Sequence, residues 1–253
     1  MKSYNDKVVV VTGSAGGIGL ALARQFAGQG ARLILADVDE QRLATAVASL
    51  SDAGHAAQGR TCDVTRRADL DALLAFALQC YGTVDVLVNN AGIGAMPAPL
   101  IDMDLEDFRR ILEVNLYGVL HGVQVFGRHF LERGGPCAIY NLGSENSIYP
   151  CVPSSHPYVS SKHAVLAITE LLAEETPEEF EVALIMPGLV YSEMTKDLFQ
   201  GMDTDQFAAK VMEQLLAGEF YVVSHAFNRV RLDERHAAIG AAYDRYAPRY
   251  AGD

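Results

Sequence analysis

Cysteine is scarce and scattered. The chain of 253 residues holds four, Cys62, Cys80, Cys137 and Cys151, and no two of them form a Cys-x-x-Cys pair. That spacing argues against a disulfide framework or a zinc site and is expected of buried thiols in a reducing cytoplasm. Long apolar runs are missing as well, so no segment reads as a membrane span, and the N-terminus enters a strand without a secretory pattern. Basic clusters are absent and the formal net charge is -12, which argues against nucleic acid or an anionic membrane surface as a partner. The histidines show no metal-ligand spacing, so no metal is expected. No repeat, low-complexity tract or linker divides the chain. What remains is a sequence that is 50% hydrophobic, enough for the core of one α/β domain spanning residues 1–253.

The first ordered signal is Val8-Val9-Val10-Val11, a continuous apolar run expected of a parallel strand covered on both faces. It feeds Thr12-Gly13-Ser14-Ala15-Gly16-Gly17-Ile18-Gly19, after which Ile18, Leu22 and Phe26 mark one side of a helix. Strand, glycine turn and helix start make a dinucleotide site, because glycine lets the backbone approach a pyrophosphate and the helix N-terminus offers it unpaired N–H groups. A second strand ends at Asp37, close to the offset at which an acid meets the adenosine ribose. A carboxylate there accepts from a 2′-hydroxyl and repels a 2′-phosphate. Neither Gly16 nor Val38 offers a compensating positive charge, so NAD is expected rather than NADP. The competing reading is that Asp37 merely caps the helix beginning near Asp39.

Further along, Thr65 is a candidate cap for a helix carrying Leu70, Leu73 and Leu74. Asn89-Asn90-Ala91-Gly92 follows a fourth strand, where side-chain amides either bond a cofactor or stitch neighbouring strands. One long helix is expected from Asp104 to about Phe130. Within it Asn115 is a polar residue among apolar ones, either a bridge or part of a site. Ser144 sits just past a fifth strand, where α/β proteins place functional groups. Tyr158 and Lys162 stand at i and i+4, so a helix brings both side chains to one face. An ammonium beside a phenol favours the phenolate and lowers a reference pKa of about 10, giving a proton-transfer group. A last helix from about Asn228 reads as amphipathic.

In order, Thr12-Gly13-x-x-x-Gly17-Ile18-Gly19, Asn89-Asn90-Ala91-Gly92, Asn115, Ser144, Tyr158-x-x-x-Lys162 and Pro187-Gly188 resemble the short-chain dehydrogenase/reductase family in its single-domain form. Each motif alone is permissive; the ordered set is specific and covers essentially the whole chain. The resemblance implies a doubly wound Rossmann-type parallel sheet of about seven strands flanked by helices. It implies that Tyr158 is the general acid/base, that Ser144 holds the substrate oxygen, and that Lys162 lowers the Tyr158 pKa and bonds the nicotinamide ribose. Asn115 would support a water that relays protons to Lys162. For the cofactor it implies contacts from Gly13, Ser14, Gly17, Ile18, Gly19, Asp37 and Val38. Asp63 and Val64 would border the adenine and Asn89 the ribose region, beside Ala91 and Gly92. Pro187 and Gly188 would carry the turn from which Val190 and Ser192 meet the carboxamide.

Past Gly188, the apolar Leu189, Tyr191, Met194, Leu198, Phe199 and Met202 suggest a substrate flap over about 189–217. Glu145, Asn146 and His156, with Tyr191 and Met194, are the candidate substrate contacts. A bulky, hydrophobic or aromatic secondary alcohol or ketone is therefore expected. A 3-oxoacyl thioester reductase, a sugar or polyol dehydrogenase and a non-catalytic NAD-sensing module stay open beside it. Family members commonly pair the helices bearing Asn115 and Tyr158, so a homodimer or homotetramer is expected; Gly118, Gly122 and Ala164 either permit close approach of such helices or serve packing within one subunit.

Overall fold

The computed structural model describes residues 1–152, 154–191 and 201–247. Seven strands form one sheet: β1 (Val8–Thr12), β2 (Arg32–Asp37), β3 (Ala57–Thr61), β4 (Val86–Asn89), β5 (Cys137–Leu142), β6 (Phe180–Met186) and β7 (Tyr221–Val223). Their order is β3-β2-β1-β4-β5-β6-β7, and every neighbouring pair is parallel. The order reverses between β1 and β4, which opens a crevice at the carboxyl ends of those two strands. The expected doubly wound Rossmann-type sheet is present.

Strand periodicity explains the two layers. Val9 and Val11 point to one face, with Leu33, Leu35, Val86 and Val88, and meet α1 (Gly17–Gly28), α2 (Glu40–Asp52) and α7 (Thr204–Ala217). Val8, Val10, Ile34 and Leu87 point the other way, onto α3 (Arg67–Tyr81) and α5 (Gly118–Arg133). Val165 of α6 (His156–Glu175) closes the second layer against Leu184 and Met186. Because both faces of the strands are covered, their residues are apolar without alternation.

Several expectations needed correction. The long helix from Asp104 is three pieces: α4 (Leu105–Leu112), a π-helical turn over Glu113–Tyr117, and α5. Asn115 sits in that π turn, and such widened turns concentrate at functional sites. Thr65 does not cap α3; its hydroxyl donates to Asp63 Oδ1 at 2.8 Å, and Arg66 holds the cap position. Of the two readings open for Gly118 and Gly122, packing within the subunit holds: they face inward, towards Val64 and Asn89. The flap cannot extend to residue 217, because Phe207, Ala208, Val211, Met212 and Leu215 of α7 are buried in the core beside α1. Ser192, Met194, Leu198 and Phe199 lie outside the described residues. The segments flanking them are joined: Tyr191 N donates to Met202 O at 2.8 Å and Met202 N to Leu189 O at 2.9 Å.

The last helix, α8 (Arg229–Tyr246), is helical as expected but has no buried residue at all. The thiols of Cys62 and Cys137 are buried, and those of Cys80 and Cys151 partly so; all four are free. Among the described residues no helix is long and apolar enough to cross a membrane, and none of their His, Cys, Asp and Glu side chains gather in a group that could hold a metal ion.

Candidate active site

A cleft of about 610 Å³ runs along the carboxyl ends of the strands, from Asp37 and Val64 at one end to Ser144, Tyr158 and Lys162 at the other. The glycine loop forms its floor. Gly13 has φ +63°, and a Cβ there would come within 2.7 Å of Ala91 Cα, so no other residue fits without moving the loop that follows β4. Gly16 caps α1 without a side chain to satisfy the first N–H groups, which leaves them available to an anion in the cleft.

Asp37 and Asp39 divide the roles that the sequence left open. Asp39 caps α2, accepting from Arg42 N at 3.0 Å. Asp37 instead accepts from Ala15 N at 2.9 Å through Oδ2 and from Asp39 N at 3.1 Å through Oδ1. Its carboxylate therefore fixes the glycine loop to the end of β2 and stands at the cleft wall. Val38 beside it is 69% exposed.

The amides after β4 are stitching groups. Asn90 Nδ2 donates to Thr12 O and Gly13 O, each at 2.8 Å, which holds the glycine turn against β4. Asn89 is turned away from the cleft and donates to Asn141 Oδ1 at 2.9 Å inside the sheet, so Asn90 rather than Asn89 reaches the cleft wall. Ser14 is likewise interior: its hydroxyl donates to Val11 O at 2.9 Å and accepts from Ala36 N at 3.0 Å. Gly13, Gly17, Ile18, Gly19, Asp63, Val64, Ala91, Gly92, Pro187, Gly188 and Val190 all line the cleft.

At the other end, Tyr158 and Lys162 emerge from the first turns of α6, as their spacing requires. Ser144 follows β5, and its Oγ accepts from Asn146 N at 3.1 Å and Asn146 Nδ2 at 3.3 Å. With its lone pairs so occupied, the Ser144 hydroxyl proton is left to be donated. Burial pushes the Tyr158 phenol above its ordinary range, while the hydrogen bond from Ser144 pulls it down. The Lys162 nitrogen is 5.8 Å from the Tyr158 ring centre and donates to Leu142 O at 2.6 Å.

Burial pulls the Lys162 ammonium down from 10.5 to about 8. The folded pKa is below the unfolded one, so the folded chain holds this proton less tightly between pH 8 and 10.5. Stability therefore rises with pH across that window, and the full cost is present below it. The cost is about 3 kcal/mol; losing the bond to Leu142 O offsets about 1 kcal/mol. Lys162→Met is accordingly expected to be about 2 kcal/mol more stable than the parent in denaturant titrations at pH 7, and the gap should narrow by pH 9.5. A less stable variant at pH 7 would mean that the Leu142 bond dominates.

Asn115 is fully buried, and both ends of its amide are bonded. Its Oδ1 accepts from Ile93 N at 2.8 Å, while Nδ2 donates to Ile93 O at 2.9 Å and Ser161 Oγ at 3.2 Å. The side chain is a bridge between the loop after β4 and α6, next to Lys162.

Of the candidate substrate residues, Asn146 is committed to structure: besides its bonds to Ser144, its Oδ1 accepts from Cys151 N and Val152 N. Glu145 turns behind Gly188 and accepts from Asn228 Nδ2 at 2.6 Å. His156 opens α6, and Tyr191 is half-exposed. The sequence reading missed two cations at the cleft, Arg42 and Arg110. The Arg42 guanidinium lies 2.6 Å from where a Cβ of Gly16 would be. A search for charge at Gly16 and Val38 alone could not find it, because Arg42 reaches in from the next helix. It also missed His225, which packs behind Gly188.

Comparison with known proteins agrees with this geometry. A family model described as short chain dehydrogenase matches residues 7–203. The chain is 34% identical over 239 residues to 1-deoxy-11-beta-hydroxypentalenate dehydrogenase of Streptomyces exfoliatus, covering 90% of this chain and 86% of that protein. It is 36% identical over 201 residues to 3beta-hydroxysteroid dehydrogenase 1 of Eggerthella lenta, covering 78% and 76%. The crystal structure of a Burkholderia phymatum short chain dehydrogenase/reductase in complex with NAD superposes with a TM-score of 0.90 at 29% identity, over 99% of this chain and 100% of that one. A parallel sheet with its cleft at the order reversal, a glycine loop and a Ser-Tyr-Lys cluster define a nucleotide-binding oxidoreductase. The chain belongs to the short-chain dehydrogenase/reductase family.

Proposed function

We propose that this protein is an NAD-dependent dehydrogenase that interconverts a bulky, hydrophobic or aromatic secondary alcohol and its ketone. The observation that carries the reading is one continuous cleft with Asp37 at the adenosine end and Ser144, Tyr158 and Lys162 at the other. The residues present fit a nicotinamide dinucleotide. Uncapped N–H groups of α1 would hold its pyrophosphate, and Asp37 would accept from its adenosine ribose.

When bound, the nicotinamide supplies the hydride acceptor at its ring carbon C4. The chain's own residues handle the proton. In oxidation Tyr158 takes the proton of the substrate hydroxyl, and Ser144 donates to the substrate oxygen and holds it in place. Lys162 contributes positive charge beneath the pair. In reduction the Tyr158 phenol returns the proton. Loss of the proton from the hydroxyl oxygen and of hydride from the carbon that bears it leaves a ketone, so the two directions balance.

The half-exposed Leu189 and Tyr191 flank Val190, which lines the cleft, and so support an apolar substrate end; two relatives are named for a hydroxypentalenate and a hydroxysteroid. The same reading makes residues 1–253 a single domain working in the cytoplasm on a small molecule. The test compares kcat/KM for steroid-like alcohols, aryl alcohols, polyols and acyl thioesters, read as NADH absorbance. Bulky apolar alcohols should lead by at least about tenfold. Preference for a polyol or a thioester would overturn the substrate class.

A further inference from the structure

Gly188 lines the cleft, and its backbone is not in the left-handed region, so glycine is not there for its torsional freedom. It is there for room. A Cβ on Gly188 would lie 2.5 Å from His225 Nδ1 and 2.9 Å from Glu145 Oε1. Neither side chain is among the described residues that line the cleft. The wall at this point is therefore a single backbone layer, with an imidazole and a carboxylate directly behind it. The carboxylate is fixed in place: Glu145 N donates to Pro187 O at 2.9 Å, and Asn228 Nδ2 donates to Glu145 Oε2 at 2.6 Å.

The charge behind the wall has one sign. Ser224 Oγ accepts from Gly188 N at 3.2 Å and shares a bond of 2.7 Å with His225 Nδ1. With Gly188 N on the Ser224 oxygen, the Ser224 proton is directed to Nδ1, which makes that ring nitrogen an acceptor. Arg231, on the same side, is turned to the Tyr149 ring, 5.6 Å from its centre. Among the described residues no cation pairs with Glu145. Within the cleft, the same end holds the Lys162 nitrogen. An oxidised nicotinamide ring is positively charged and loses that charge on taking hydride. Lys162 therefore repels the oxidised ring alone, and Glu145 attracts the oxidised ring alone. An attraction across one peptide layer is screened far less than one across water.

We infer, on the reading that this cleft binds a nicotinamide dinucleotide, that Glu145 selects the oxidation state of that cofactor: its carboxylate, fixed behind Gly188, makes the chain hold NAD in preference to NADH. Hydride carries two electrons to the ring and cancels its positive charge. The anion behind the wall thus lowers the free energy of the NAD-bound chain and leaves the NADH-bound chain as it is. Between bound species the balance moves towards NAD and alcohol, away from NADH and ketone. Free NAD also displaces bound NADH at a lower concentration.

The experiment measures Kd of the whole chain for NADH by fluorescence, and for NAD and ADP-ribose by displacement of NADH. The parent is compared with Glu145→Gln and Glu145→Asp. Glu145→Gln removes the charge and keeps an acceptor for Asn228. It should bind NAD about fivefold more weakly, with NADH and ADP-ribose, which carry no positive ring, within about twofold of the parent. A merely structural role would weaken all three together. Glu145→Asp keeps the charge and breaks the Asn228 bond, so its ratio of NAD to NADH affinity should stay within about twofold of the parent's. An unchanged ratio in Glu145→Gln overturns the inference, as does a ratio in Glu145→Asp that falls as far as fivefold. A parent that binds none of the three overturns the functional reading, and this inference with it.

Discussion

Tyr158→Phe is expected to lower turnover by about a hundredfold or more while leaving NADH affinity within about twofold. The substitution removes one oxygen and keeps the ring, so the packing of α6 and the bonds of Asn115 and Lys162 are untouched. What is lost is the group that exchanges a proton with the substrate and accepts the hydrogen bond from Ser144. The chain has no tryptophan, so NADH fluorescence can be followed on binding without an indole background. The pH profile separates a chemical role from a positional one. Burial holds the Tyr158 phenol above its ordinary value, so the phenolate fraction in the parent grows as pH rises and oxidation should accelerate with it. Reduction, which needs the protonated phenol, should slow over the same range. Both slopes should flatten in the variant. Near-normal turnover in Tyr158→Phe would remove Tyr158 from the chemistry.

The sequence made the architecture legible where its signals were local and redundant. The valine run of β1, the apolar face of α7 and the strand-end positions of Asp37 and Ser144 are each written in a few adjacent residues. It was silent where geometry depends on groups far apart in the chain. Nothing in Asn89-Asn90 tells which amide faces the cleft; that follows from the pleat of β4, which turns Asn89 towards Asn141 and Asn90 towards Thr12. The π turn at Asn115 is also invisible in the apolar pattern, since one widened turn hardly changes it. The pairing of Tyr158 with Lys162 was read correctly from spacing. Spacing did not show that the long Lys162 side chain also donates to the Leu142 carbonyl. Arg42 at the cleft and His225 behind Gly188 escaped because each comes from a segment that carries no motif.

Cofactor choice should respond to two residues. The parent is expected to favour NAD over NADP by about a hundredfold in kcat/KM, because a 2′-phosphate would be brought against the Asp37 carboxylate. Two like charges about 4 Å apart near a protein surface repel by up to about 4 kcal/mol. The guanidinium of Arg42 over Gly16 offsets part of that and keeps the expected ratio at about a hundredfold, which is about 2.7 kcal/mol. Asp37→Ala alone removes the repulsion but also the acceptor that holds Ala15 N, so it should weaken both cofactors. Asp37→Asn keeps an acceptor for that N–H without the charge, and should chiefly improve NADP. Adding Val38→Arg places a second guanidinium at an exposed position on the cleft edge, beside Arg42, where both could clasp a phosphate. The Asp37→Asn/Val38→Arg variant should therefore prefer NADP or use both cofactors within about tenfold. The measurement is kcat/KM for each cofactor at a saturating alcohol, in the parent and all three variants. Equal use of NAD and NADP by the parent would mean that Asp37 serves the glycine loop and does not read the ribose.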